Sequence, residues 1–373
     1  MQNKPRIAII SFHNAANYGA ALQAVALQRK LDEIGYPNEY IDYQNSYRKH
    51  SYDMTYQCIL ALKSYKFKEA IKYILGSPFM YLRKKSFSKF YKEHLKLTPI
   101  IYTNSCQAAQ LNSLFDKFIV GSDQVWNPEN NGQDMAYLLD FVDDDKKKIS
   151  YSSSFGISSI PEPYLSKYSE LLKRFKHLAV REKDGVRLVR ELSNRRATLV
   201  LDPVFLIDKD SWISMGEKLH GNFVFSYTNR VGQLEKFLSV TGYSMTGKVH
   251  YKLSRQTTLM DFLNPKVKVK YSMSPKEFIG VINSASLIIS ASFHCISLAI
   301  ILNRPFIVIL TGDKGKDERL TSLLTLLNLT DRIFTDDMRL GDVLASINFE
   351  KVNSKLNKLR LESISYLTSS IED

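Results

Sequence analysis

His294 is the residue of this chain best suited, by type and setting, to move a proton. It closes the run Ser290-Ala291-Ser292-Phe293-His294, which follows the apolar stretch Leu287–Ile289 and precedes the apolar stretch Cys295–Leu302. That pattern reads as a buried strand, a polar turn and a helix; the turn Asn303-Arg304-Pro305 then leads into a second buried strand, Phe306–Leu310. In open α/β sheets, ligands bind beyond the carboxyl ends of the strands, beside helix N-termini that favour anions. The hydroxyls of Ser290 and Ser292 with one imidazole would suit a phosphorylated or carboxylated ligand there. The same histidine could equally be a satisfied residue on a core helix, and this window alone leaves both readings open.

The elements that would position such a site recur along the chain. Ile7–Phe12, Phe118–Val120, Lys148–Tyr151, Leu178–Val180, Thr198–Leu201 and Leu287–Ile289 are short apolar runs, each ending in polar residues. Strands of parallel sheets are buried on both faces and read in this continuous way, and their alternation with helical segments argues a doubly wound α/β architecture. A first helix follows Asn17-Tyr18-Gly19, with apolar residues at Ala20, Ala24, Leu27, Leu31 and Ile34 and a stop at Gly35. Ser274-Pro275-Lys276-Glu277 carries an N-cap serine, a proline at the first helical position and a glutamate at the third. Neither a GxGxxG fingerprint nor a P-loop is present, which argues against a dinucleotide site.

At 373 residues and 42.8 kDa the chain is too long for one ordinary core, so two domains are expected. The reading places residues 1–205 in the first, 206–350 in the second, and 351–373 in a last helix packing back on the first. Met1–Arg6 runs straight into the first strand without the apolar stretch and cleavage site of a secretory signal, and no run is long enough to span a bilayer. Cys58, Cys106 and Cys295 are scattered, with no CxxC pair. A reducing cytoplasm is the expected location. No motif for a metal or a resident cofactor is seen.

The formal charge of +13 is concentrated. An insertion at about 48–96 holds twelve Lys and Arg against Asp53, Glu69 and Glu93, a local balance of +9, with ten tyrosines and phenylalanines among them, from Tyr52 to Tyr91. Two or three helices are expected there. An anionic membrane surface ranks above nucleic acid as its partner, since no nucleic-acid module accompanies it; a solvated helical face is the common alternative.

Several blocks together resemble the polysaccharide pyruvyl transferase family: Asn17-Tyr18-Gly19-Ala20-Ala21-Leu22-Gln23, Gly121-Ser122-Asp123-Gln124-Val125-Trp126-Asn127-Pro128, Arg181-Glu182, Leu201-Asp202-Pro203 and Ser292-Phe293-His294. Arg319-Leu320, Leu324, Leu327 and Asp331-Arg332 also fit. The resemblance covers nearly the whole chain except the basic insertion. It implies two Rossmann-like doubly wound domains facing a cleft, similar to GT-B glycosyltransferases. It implies phosphoenolpyruvate as co-substrate, with no other cofactor, and a sugar acceptor, compatible with a polyprenyl-linked one at the inner membrane face, on which pyruvate ends as a cyclic ketal.

Carried onto this chain, the resemblance makes His294 the general acid or phosphate ligand and Arg181 a donor-binding residue. Ser290 and Ser292 join them, although better-studied members have arginine where Ser292 stands. Arg304 and Arg319 are the candidates for the missing cation. Asp123 would take a proton from an acceptor hydroxyl, Trp126 would stack on a sugar face, and Asn17, Tyr18, Gln23 and Gln124 would add polar contacts. Each has a plain alternative: an ion pair for Arg181, a turn cap for Asp123, a core anchor for Trp126, surface charge for Arg304 and Arg319. Two other functions stay open: a glycosyltransferase using a nucleotide sugar, and a non-catalytic glycan- or anion-binding partner.

Overall fold

The computed structural model describes residues 4–51, 53–228, 230, 232–253, 261 and 263–373. Tyr52 of the aromatic run lies outside them. The chain divides into two units, residues 1–206 with 359–373, and residues 207–358.

The first unit is built on a parallel sheet. Its strands are β1 (Ile7–Ile10), β2 (Asn38–Tyr43), β3 (Leu97–Tyr102), β4 (Lys117–Val120) and β5 (Lys148–Ser150), in the order β3-β2-β1-β4-β5. The four residues of β1 are all fully buried, as a strand covered on both faces requires. Helix α1 (Tyr18–Glu33) connects β1 to β2. The edge strand β3 tolerates Pro99 and leaves Ile100 and Ile101 exposed, because an outer strand has ladder positions that need no partner. Two short strands, β6 (Ala179–Val180) and β7 (Thr198–Leu199), pair in parallel and join β5 through isolated bridges, Ile149 to His177 and Ser153 to Val180.

The second unit repeats this plan with β8 (Phe223–Tyr227), β9 (Val249–Lys252), β10 (Val267–Val269), β11 (Leu287–Ser290) and β12 (Phe306–Val308), in the order β10-β9-β8-β11-β12, all parallel. In both sheets the winding direction reverses beside the first strand, between β1 and β4 and between β8 and β11. Such switch points leave a crevice at the carboxyl ends of the two strands.

Between β2 and β3 the basic insertion forms three helices, α2 (Ser46–Ser51), α3 (Met54–Lys63) and α4 (Phe67–His94). Asp53 caps α3 by accepting the amides of Thr55 and Tyr56. Both ends of the insertion hold the loop that leaves β1. The Arg48 guanidinium lies 3.3 Å from the Phe12 ring centroid, Arg83 Nε donates to the Ala16 carbonyl at 3.1 Å, and the Tyr91 hydroxyl donates to the Ala15 carbonyl at 2.6 Å. The last helix, Phe349–Glu372, ends in the first unit: the Leu201 amide donates to Ser363 Oγ, and the Tyr36 hydroxyl donates to Glu372.

Candidate functional site

The carboxyl rim of the first sheet gathers charge around one arginine. Arg181, directly after β6, has a side chain only 1% exposed. Its Nη1 donates to Asp202 Oδ2 at 2.9 Å, while Glu182 lies 3.5 Å and Asp123 3.8 Å from its other nitrogens. Burial acts to lower the Arg181 pKa, but the three carboxylates outweigh it and the pKa is raised. Ser122 Oγ donates to the same Asp202 oxygen and sits 3.3 Å from Ser152 Oγ. Three carboxylates thus surround this one guanidinium.

Asp123 is held at φ +82, a left-handed conformation that is rare outside glycine. Its carboxylate accepts the Gln124 amide at 2.8 Å, which is the local bond that lets aspartate occupy such a turn. Its carbonyl accepts the Ser154 amide. Ser152, opposite, is also left-handed, at φ +57. Paired backbone outliers at a strand end persist only where surrounding structure enforces them, and they cluster at functional sites.

The structure divides the other first-domain candidates into those at the rim and those within the core. Asn17 is exposed and caps α1 by accepting the Ala20 amide. Gln124 is half-buried and accepts from Asn130; its amide lies where a Cβ on Gly156 would fall, so that glycine permits the approach. Gln23 is fully buried, donating to Ser11 Oγ at 3.0 Å, and Ser11 in turn donates to the Ser122 carbonyl at 2.8 Å. It therefore fastens α1 to the switch point. Trp126 takes the core-anchor alternative: it is fully buried, its indole N–H donates to the Tyr137 carbonyl, and its ring packs on Phe155 and Phe175. Tyr18 is buried against the insertion, with the Phe87 ring 5.1 Å away and the Arg83 guanidinium 4.6 Å from its own ring.

In the second unit the rim is of the other kind. Ser290 Oγ donates to the Tyr227 carbonyl and accepts the Ser292 amide, so it knits the ends of β11 and β8. Ser292 Oγ accepts the Cys295 amide at the start of the helix Phe293–Ile301. Both hydroxyls thus shape the turn that delivers His294, buried in the first turn of that helix. Arg319 brings its guanidinium to 5.9 Å from the Phe293 ring centroid, beside the motif. Arg304 does not reach this rim: it precedes β12, at the opposite end of the sheet, and donates to Asn283. Lys252 and Lys270, which end β9 and follow β10, are paired with Asp261 and Glu277.

A model of the polysaccharide pyruvyl transferase family matches residues 17–313. The chain belongs to that family. It is accordingly a transferase that acts on a polysaccharide. Among solved structures, UGT89C1 of Arabidopsis thaliana complexed with UDP-L-rhamnose is similar at a TM-score of 0.51 and 10% identity, over 99% of each chain. The UDP-GlcNAc 2-epimerase of Methanocaldococcus jannaschii is similar at 0.48 and 11% identity, over 94% of this chain and 91% of that one. At such identities the likeness is one of fold, and the fold is that of GT-B glycosyltransferases. No curated protein matches the chain.

This pyruvyl transferase carries rim residues beyond those the motifs single out. Glu182 and Asp202 stand inside the recognised blocks, but only the fold sets them around Arg181. His13, just after β1, is buried with Nε2 3.5 Å from Asp42 Oδ1. Burial would raise the Asp42 carboxyl, yet His13 and then Gln44 hold it below the usual range. Arg230, three residues past β8, lies beside the loop after β12: its Nη1 is 3.7 Å from where a Cβ on Gly312 would sit. Gln233 ties the two loops, accepting the Arg230 amide and donating to the Leu310 carbonyl. Among the described residues no cluster of His, Cys, Asp and Glu is disposed to hold a metal ion, and no helix is long and apolar enough to cross a membrane.

Proposed function

We propose that this pyruvyl transferase takes phosphoenolpyruvate as donor at the rim of the second unit and activates a sugar diol at the rim of the first. The observation that carries the reading is the different make-up of two rims with the same topology: a carboxylate cluster around Arg181 in the first, and His294 with Arg319 and Arg230 in the second. Phosphoenolpyruvate bears a phosphate and a carboxylate, which suit the His294, Arg319 and Arg230 side. A neutral diol that must lose protons suits the side where Asp123, Glu182 and Asp202 outnumber Arg181.

In this mechanism His294 delivers a proton to the methylene carbon, leaving an oxocarbenium-like centre at C2. One sugar hydroxyl attacks that centre and forms the first C–O bond while Asp123 accepts its proton. The second hydroxyl then forms the second C–O bond as the bond between C2 and the phosphate ester oxygen breaks. The departing phosphate takes that hydroxyl's proton and leaves as inorganic phosphate, the ketal ring closes, and Asp123 returns the first proton to His294 through solvent. Arg319, with Arg230, stands for the arginine absent at Ser292. Arg181, expected from the sequence to bind the donor, is assigned instead to holding the carboxylates, because its charge is already met by three of them.

The acceptor sugar is carried on a polyprenyl phosphate and is met at the cytoplasmic face of an anionic membrane. The local +9 of the insertion supports this reading. The test is incubation of the protein with phosphoenolpyruvate and candidate acceptors, read by mass spectrometry for the ketal increment and by phosphate release in equal amount. Stabilisation by phosphoenolpyruvate in a thermal-shift screen is expected. Stabilisation by a nucleotide instead, with no phosphate release, would transfer the reading to nucleotide-sugar chemistry.

A further inference from the structure

The helical hairpin α3–α4 is built the wrong way round for water. Its two helices run antiparallel: the Met54 methyl lies 3.4 Å from the Cβ position of Gly76, Cys58 Sγ lies 3.8 Å from the Ala70 carbonyl, and the Lys66 amide donates to the Ala61 carbonyl. Small residues fill the seam, with Ala61 and Ala70 buried. Large apolar side chains face outward, among them Ile59, Leu60, Phe67, Ile71 and Ile74, and Tyr65 at the turn is 82% exposed. Of the 21 large apolar or aromatic side chains that are exposed among the described residues, 12 lie between Tyr47 and Leu82. A soluble hairpin buries such residues between its helices, so an outward array of this size marks a contact surface.

The charges around the array select the occupant. From Ile59 to Ile74 the chain carries Lys63, Lys66, Lys68 and Lys72 against Glu69 alone. A second copy of the chain meeting this face across a two-fold axis would oppose lysine with lysine. An anionic bilayer offers hydrocarbon for the apolar side chains, headgroup phosphates for the lysines, and an interfacial layer that favours tyrosine.

We infer that the α3–α4 hairpin enters the interfacial layer of an anionic lipid bilayer, apolar residues inward, and so fixes the first unit on the membrane surface. This deepens the membrane placement proposed above. To the charge and interfacial aromatics read from the sequence it adds a buried apolar face, so that salt weakens the contact but does not abolish it. The insertion's own bonds carry the docking to the candidate site, since Arg83 and Tyr91 on α4 hold the Ala15–Tyr18 segment after β1. Arg83 thus serves the site loop and is not part of the lipid-facing charge.

The test needs no turnover, so its failure is separable from failure of the donor chemistry. The full chain is floated with vesicles of phosphatidylcholine alone or mixed with phosphatidylglycerol, at low and high salt. Binding to the mixed vesicles is expected, with part retained at high salt. In Tyr65→Trp, in which the native Trp126 and Trp212 stay buried, the new emission should shift to the blue and be quenched by bromine-labelled acyl chains. Leu60→Ser combined with Phe67→Ser and Ile74→Ser should weaken vesicle binding by about tenfold or more while the thermal unfolding midpoint stays at that of the wild type, because interfacial affinity scales with apolar area buried. Binding wholly abolished by salt, or absence of bromine quenching, would overturn the insertion. So would unaltered vesicle binding by the triple variant, or a wild-type dimer that this variant dissolves.

Discussion

The two sheets share one strand order and one kind of crevice, yet different side chains dominate their rims. In the first unit the polar ends of β4, β6 and β7 converge on a buried Arg181 with Asp123, Glu182 and Asp202 around it. In the second, β11 ends in serines whose hydroxyls serve the backbone, and what the rim presents is His294 with the guanidinium of Arg319 beside its motif. The scaffold therefore does not set the sign of a site; the two or three residues that follow each strand do. That division suits a reaction in which a doubly anionic donor meets a neutral diol.

Replacing one residue at each rim tests the division most severely. His294→Ala should lose roughly a hundredfold or more in kcat, the usual scale for a missing general acid, with thermal stability near that of the wild type. Asp123→Asn keeps a residue that tolerates the left-handed turn and removes only the charge. It should lose kcat on a similar scale while its KM for phosphoenolpyruvate stays put. An Asp123→Asn variant with normal kcat would reduce the first rim to a structural cluster.

Arg181→Met separates a structural from a donor-binding arginine. If its task is to neutralise carboxylates, the variant leaves buried charge unpaired and should lose about 3–5 kcal/mol of stability, read by urea unfolding. A stable variant whose only defect is a raised donor KM would return Arg181 to the donor and weaken the contrast between the rims. On the other side, Arg319→Ala and Arg230→Ala should each raise the donor KM by about ten- to a hundredfold, as a charge-assisted contact of ~1.5–3 kcal/mol implies. Equal donor KM values in both would leave the second rim without its cations.

The smallest effect concerns acid stability of the second unit. Burial first, then the nearby Lys252, pushes His250 down to about 4, against the opposing pull of Asp261; its Nε2 is 2.6 Å from Ser226 Oγ. The folded imidazole thus stays neutral where the unfolded one, with an ordinary value of about 6.5, is protonated. The unfolded state binds more protons between those values, so the contribution is complete above pH 6.5 and is lost as pH falls toward 4. In a Trp126→Phe background, Trp212 reports the second unit. His250→Asn should flatten the fall of the unfolding midpoint between pH 6.5 and 4, and an unchanged slope would assign the acid sensitivity to other groups.

Much of the scaffold is legible in the sequence because its buried strands are short, apolar and punctuated. Ile7–Ile10, Lys117–Val120, Leu287–Ser290 and Phe306–Val308 fall within or beside the runs read directly. Strands β2, β3, β9 and β10 are not so marked. β2 reads Asn-Glu-Tyr-Ile-Asp-Tyr, β3 contains a proline and exposed isoleucines, and β9 and β10 alternate lysine or histidine with apolar residues. They lie toward the sheet edges, where one face or one ladder is open and selection for continuous apolar character is relaxed.

What the sequence by itself determined is the architecture, the family, and the strand-end blocks where chemistry could occur. Those are properties of local pattern: burial on both faces of a strand, a cap before a helix, a turn before a histidine. Which side chains in those blocks face a ligand was decided only by tertiary packing. Gln23 and Trp126 stand in the same motifs as Asn17 and Asp123, yet packing draws the first pair into the core and leaves the second pair at the rim. Likewise Arg181 and Asp202 are 21 residues apart in the chain, and only the crossover that sets β7 beside β6 brings guanidinium and carboxylate to 2.9 Å. Charge meets charge through contacts remote in sequence, and no local pattern records the partner.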